Sequence, residues 1–160
     1  MHVQTLQELI YWQPPKVTEI VGSGILHESC VLFLFGGPKT FKSIAAQQLA
    51  LCLAYGENYF GFKTSPVSTF LVQAEVPKAM FRSRILKMAS RFKKPMIAPV
   101  YFATERNLKL DTDSGIKHLN ATILKVKPQV VIIDPWYKFL ASRDEPGIVK
   151  AINNIDASVE

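Results

Sequence analysis

A glycine-opened turn, set between an apolar run and a helical pattern, restricts the folds open to this chain more than any other feature. The turn is Gly36-Gly37-Pro38-Lys39-Thr40-Phe41-Lys42-Ser43. Before it, Cys30-Val31-Leu32-Phe33-Leu34-Phe35 predicts a buried strand over residues 29–35, apolar on both faces as a parallel sheet requires. After it, an alanine-rich stretch predicts a helix over residues 42–55, with Gly56 suited to its C-cap. Strand, loop, Lys-Ser and helix in that order make a phosphate-binding loop. Successive backbone N–H groups surround phosphate oxygens, and the helix N-terminus adds partial positive charge. Lys42 then reaches the β- and γ-phosphates, and Ser43 offers a hydroxyl to Mg²⁺. Gly36, Gly37, Pro38, Lys39, Thr40, Phe41, Lys42 and Ser43 are the candidate ATP-binding residues. Phe41 stands where the pattern has glycine, a position where the backbone passes close to the phosphates. A side chain fits there if φ is negative and Cβ points outward, and that is the expected conformation. Lys39 is open to two readings, a phosphate or neighbour-subunit contact and a solvent-facing lysine.

Two carboxylates complete the constellation. Val130-Val131-Ile132-Ile133-Asp134 predicts a strand over residues 129–133 that delivers one carboxylate, the Walker B arrangement, with Asp134 and Ser43 holding Mg²⁺. Thr69-Phe70-Leu71-Val72-Gln73-Ala74 predicts a strand over residues 67–73, and Glu75 at its end is the candidate general base for an attacking water. The alternatives are a loop-capping aspartate and a helix N-terminal glutamate placed by the helix dipole. A third strand is predicted over residues 96–103. Helices are predicted over residues 78–92, over 115–126 with Asp113 or Ser114 as cap, and over 146–159. Phe81, Ile85, Met88 and Phe92 form one apolar stripe on the first of these. Asp111, Asp113, Asp144 and Glu145 read as caps and solvated loop. Strands alternating with helices predict an α/β fold with a parallel sheet, whose ligands bind beyond the strand C-termini. Gly36, Glu75 and Asp134 all fall there.

Composition narrows the classes. With 160 residues and 48% apolar content, the chain is one ordered domain, preceded by an arm over residues 1–27 that carries a short amphipathic helix stopped by Pro14-Pro15. No apolar run is long enough for a membrane span, and the N-terminus is not signal-like. Cys30 and Cys52 read as buried thiols, in keeping with a reducing, cytoplasmic setting. The three histidines lack ligand spacing. The net charge is +6, and residues 76–104 hold seven basic side chains and no acid. Of these, Lys78, Arg82, Arg84, Lys87 and Arg91 are candidate nucleic-acid contacts; charge alone does not separate that reading from a solvated helix face.

The phosphate loop, Gln73-Ala74-Glu75 with Arg82 and Arg84 after it, and Val130 to Pro135 together resemble RecA-like P-loop ATPases. The nearest branch is the RepA-type helicase ATPases, related to the DnaB and RecA cores, in which the residue before the lysine is not always glycine. The resemblance implies a three-layer αβα RecA-like core over residues 28–160, with a mostly parallel sheet. It implies an ATP- and Mg²⁺-dependent ATPase acting in DNA replication or recombination. Single-stranded DNA and further copies of the chain, as a ring or filament, are the implied partners, and a membrane is not. Glu75 maps to the family's catalytic glutamate and Asp134 to its Walker B aspartate. In the family a further strand, ending in a polar sensor residue, lies between the phosphate-loop strand and the Walker B strand. An arginine finger follows later. The core is therefore expected to be incomplete at its C-terminus, with a gap in the sheet. Two other readings stand beside this one: a non-catalytic nucleotide-binding or protein-interaction module on the same fold, and a P-loop small-molecule kinase, for which no arginine-rich lid is evident.

Overall fold

A computed structural model describes residues 3–142 and 144–159. Its centre is a parallel sheet of β3 (Thr69–Gln73), β4 (Val100–Thr104) and β5 (Val130–Asp134), in the order β4-β3-β5. The register is unbroken: Thr69 lies level with Val100 and Val130, and Gln73 with Thr104 and Asp134. Central β3 is buried at all five positions. The two-residue period of a strand sorts its neighbours into two layers. Leu71, Phe102 and Ile132 pack with Ala50 and Leu51 of α2 (Lys42–Tyr55) and with Phe81 and Ile85 of α3 (Lys78–Ala89). Phe70, Val72, Val131 and Ile133 pack with Leu119 of α4 (Asp113–Val126) and Ala151 of α5 (Glu145–Val159). The result is the expected αβα sandwich. Leu51 and Leu71 are fully buried, and burial of a side chain of that size contributes about 1.5–3 kcal/mol.

The helix bounds follow from local chemistry. α2 spans the predicted residues and ends at Gly56, whose φ of 64° is the left-handed geometry that glycine adopts without strain. α3 stops earlier than predicted, at Ala89. Two tight turns follow, and they bring Phe92 to stack on Tyr55 with ring centroids 4.4 Å apart. The cap of α4 is Thr112, not Asp113 or Ser114; its hydroxyl accepts from the Gly115 N–H at 3.2 Å. β4 begins later than predicted. Ile97 and Ala98 N–H groups bond the Ala54 carbonyl at 2.9 and 3.0 Å, so this stretch is tied to the end of α2 instead of to the sheet. α1 (Leu6–Tyr11) closes a capping box between Thr5 and Glu8, and none of its residues is buried.

Two expectations are overturned. Residues 29–35 form no strand: none of them pairs with β5 or with any other described strand, and Val31 to Phe35 are exposed, Phe35 at 91%. The reason is the absence of a neighbour among the described residues. β5 pairs on one edge only, with β3, and no described strand lies on its other edge to bridge it to this apolar run. Cys30 is correspondingly exposed, whereas Cys52 is buried as predicted, and burial together with Glu57 pushes its thiol up to about 11. The stretch read as an arm also contains structure that sequence reasoning passed over. Glu19–Val21 (β1) and Leu26–His27 (β2) pair antiparallel, and Ile20, Val21 and Leu26 bury against Leu49, Cys52 and Leu53 of α2. The signal was present: Gly22-Ser23-Gly24 is a turn between two apolar pairs. Among the described residues, no helix is long and apolar enough to cross a membrane.

Candidate nucleotide-binding site

The phosphate loop enters α2 through Phe41, which serves as its N-cap without any side-chain bond to the helix. No acceptor meets the Lys42, Ser43 or Ile44 N–H groups among the described residues; the first bonded N–H is that of Ala45, to the Phe41 carbonyl at 2.9 Å. Free N–H groups at a helix start form an anion site. Phe41 has φ +61° and ψ 19°, so the expected negative φ is wrong, while the outward side chain is as expected, 76% exposed. The position requires the left-handed conformation that glycine supplies freely and that costs a residue with a Cβ about 1–2 kcal/mol. Lys39 shares it, with φ +60°, and is exposed. Inside the loop, Lys42 Nζ donates to the Gly36 carbonyl at 2.8 Å, to the Gly37 carbonyl, and to Thr40 Oγ1 at 3.3 Å. The Thr40 hydroxyl donates to the Gly37 carbonyl at 2.8 Å.

The other half of the site lies at the C-terminal ends of the sheet. Ser43 Oγ donates to Asp134 Oδ1 at 2.9 Å, joining residues 91 positions apart. Asp134 is buried. Desolvation raises its pKa above the ordinary aspartate value and the nearby negative Glu75 adds to this; the Ser43 bond and the positive Arg84 and Lys42 act in the opposite sense. Arg84 is half-buried on α3, and its charge is felt at this site, unlike the exposed Lys78, Arg82, Lys87 and Arg91. The two oxygens suit Mg²⁺, a hard cation that typically takes one or two carboxylates and completes its shell with phosphates and water. No cluster of three or more His, Cys, Asp or Glu occurs among the described residues, so the protein would supply a partial shell of that kind.

Glu75 stands just beyond β3 on a short exposed loop, and Gln73 fixes that loop. The Gln73 amide is 2% exposed and fully bonded. Its Nε2 donates to the Val76 carbonyl at 2.7 Å and to Thr104 Oγ1 at 2.8 Å, and its Oε1 accepts from the Glu75 and Val76 N–H groups at 3.1 and 2.8 Å. Sequence reasoning gave Gln73 no role, although one polar side chain ending an apolar strand was its signal. Tyr137, in the 3-10 turn Trp136–Phe139 that follows β5, was also missed; its hydroxyl donates to Glu75 Oε1. A third stitch lies behind the turn. The Asp111 carboxylate accepts from the Ala141 and Ser142 N–H groups at 2.9 Å. Burial alone would raise Asp111, but these bonds and Lys109 outweigh it and hold it below the usual carboxylate range. Asp144 is a local cap, accepting from the Gly147 N–H at 3.0 Å.

A phosphate loop opening into α2, a carboxylate on the adjoining strand bonded to the loop serine, and a glutamate on the next strand define a RecA-like P-loop nucleotide-binding core. The family model described as AAA domain, AAA_25, matches residues 2–154, and the chain belongs to that family of P-loop ATPase domains. Neither a curated protein nor a solved structure matches it.

Proposed function

We propose that this domain binds Mg-ATP and hydrolyses it, as the motor core of a RepA-type, helicase-like protein of DNA replication or recombination. The observation that carries the reading is the 2.9 Å bond from Ser43 to Asp134, with Glu75 one strand over. Backbone N–H groups of Gly37 and of Lys39 to Ser43 hold the phosphates, and Lys42 neutralises the β/γ charge. Ser43 and Asp134 hold Mg²⁺, which supplies charge stabilisation at the phosphates when bound. Glu75 takes a proton from a water whose oxygen bonds to the γ-phosphorus. The bond from that phosphorus to the β–γ bridging oxygen breaks, and its electron pair leaves with ADP.

Lys42→Ala and Glu75→Gln test this. Lys42→Ala is expected to weaken ATP binding by roughly 10–100-fold, the worth of about 1.5–3 kcal/mol for charge-assisted bonds. Glu75→Gln is expected to bind ATP normally and to lose turnover. Undiminished ATP binding by Lys42→Ala removes the phosphate-loop assignment, and wild-type turnover by Glu75→Gln removes the base. The exposed basic face of Lys78, Arg82, Lys87 and Arg91 supports single-stranded DNA as partner. Neutralising these residues should weaken DNA binding and flatten its salt dependence, by roughly 0.7 in log–log slope for each DNA phosphate no longer neutralised. The unpaired segment 29–35 favours a second reading, a nucleotide-binding module without turnover. ATP binding with no hydrolysis, even with DNA present, would select it.

A further inference from the structure

We infer that Tyr137 is a positioning residue for Glu75, a phenol latch that fixes the orientation of the carboxylate; the inference rests on the reading of Glu75 as the base. The geometry on both sides is rigid. On one side the Glu75 loop is pinned by three bonds of the Gln73 amide, and the fourth ties that amide to Thr104 of β4. On the other, the turn that bears Tyr137 is anchored by fully buried Phe139 and half-buried Trp136, both packed in the α4/α5 layer of the core. Backbone and side-chain bonds reinforce the anchor. The Leu110 N–H donates to the Phe139 carbonyl at 2.7 Å, and Lys109 Nζ donates to the Lys138 and Leu140 carbonyls at 2.7 and 3.2 Å. Tyr137 is itself exposed, with Lys138 Nζ 5.6 Å from its ring centroid, and the turn aims its hydroxyl at Glu75. The same turn begins one residue beyond Asp134, after Pro135, so one short segment places both the candidate Mg²⁺ ligand and the latch.

The chemistry of the contact assigns each oxygen a task. The phenol O–H occupies a lone pair on Oε1 and restricts rotation of a carboxylate that otherwise stands in water on an exposed loop. Oε2 is left to accept the proton of the attacking water. Orientation of this kind acts on the rate of the chemical step and not on nucleotide affinity, since Tyr137 belongs to neither the phosphate loop nor the cation site.

Tyr137→Phe keeps the ring and removes the hydroxyl. The expected result is a kcat lower by roughly five- to thirty-fold with KM for ATP unchanged. In a Glu75→Gln background the same substitution should have no further effect on the residual rate. A spectroscopic signature needs no turnover: in nucleotide-free protein, the ¹³C resonance of the Glu75 carboxyl carbon should move in Tyr137→Phe more than that of any other glutamate. An unmoved resonance, or wild-type kcat in Tyr137→Phe while Glu75→Gln is inactive, overturns the latch. Equal proportional losses in both backgrounds also overturn it, because they would mark a structural tyrosine. Wild-type turnover by Glu75→Gln overturns the reading of the base instead.

Discussion

The two halves of the candidate site are built in opposite ways. At the sheet end, Thr104, Gln73 and Asp134 lie in one register row, and each of these side chains has a partner within the protein. The loops beyond are stitched together by Asp111, Lys109 and Tyr137. At the phosphate-loop end, residues 29–41 are exposed throughout, and Thr40 and Lys42 spend their side-chain bonds on the loop itself. On the proposed reading, the groups that must sit still during proton transfer are on the stitched side. The groups that must open around an incoming phosphate are on the loose side. Ser43, bonded to Asp134, joins them. Order and accessibility are thus assigned to different segments instead of being compromised within one.

The contrast can be broken most sharply at Gln73. Gln73→Leu leaves two N–H groups, a carbonyl and a hydroxyl without their partner, and should cost about 3 kcal/mol in urea denaturation. ATP turnover should fall as the Glu75 loop is released, while nucleotide affinity, set at the other end, should change little. Asp111→Asn should cost about 2 kcal/mol at neutral pH, because charge-assisted bonds become neutral ones. The sign with pH follows from the depressed folded-state pKa. Wild type holds this stabilisation above the unfolded aspartate value of about 3.9 and loses it as pH falls through the folded value. The variant should lack that acid limb in a stability–pH curve. Asp134→Asn should act in the opposite direction. Its raised folded-state pKa is a penalty on the native state at neutral pH that fades as pH falls, so the nucleotide-free variant should melt higher than wild type at neutral pH while losing Mg²⁺-dependent ATP binding. The smallest effect is expected in the loose half. Phe41→Gly relieves the left-handed strain but frees the unfolded chain, for a net gain of about 0.5 kcal/mol by thermal or urea unfolding. A net destabilisation there would show that the exposed ring has a partner.

Much of this was legible in the residues. Apolar runs ending in Glu75 and Asp134 revealed two strands of the sheet to within a residue or two, because a central parallel strand needs apolar side chains on both faces. The Lys42-Ser43 helix start was legible for a chemical reason, as few other arrangements set a lysine and a hydroxyl at a helix N-terminus behind a glycine turn. Residues 29–35 have an equally apolar composition and still form no strand, since a strand is a relation between two segments and composition describes only one. Phe41 was misjudged in the same way: residue identity suggested the backbone it prefers, and the loop imposed the one it needs. Tyr137 acts through a bond to a residue far away in the sequence, which nothing in its immediate neighbourhood announces, whereas Gln73 bonds Glu75 and Val76 nearby as well as distant Thr104.

Lys42 carries one further consequence. Its ammonium is already solvated by the Gly36 and Gly37 carbonyl oxygens and Thr40. If Lys42 binds phosphate as proposed, an arriving phosphate must displace an internal rival, and the measured heat of binding would be a difference between two similar sets of bonds. On that reading the loop acts as its own competitive inhibitor, with an inhibition constant written into the chain and a local concentration that dilution cannot change.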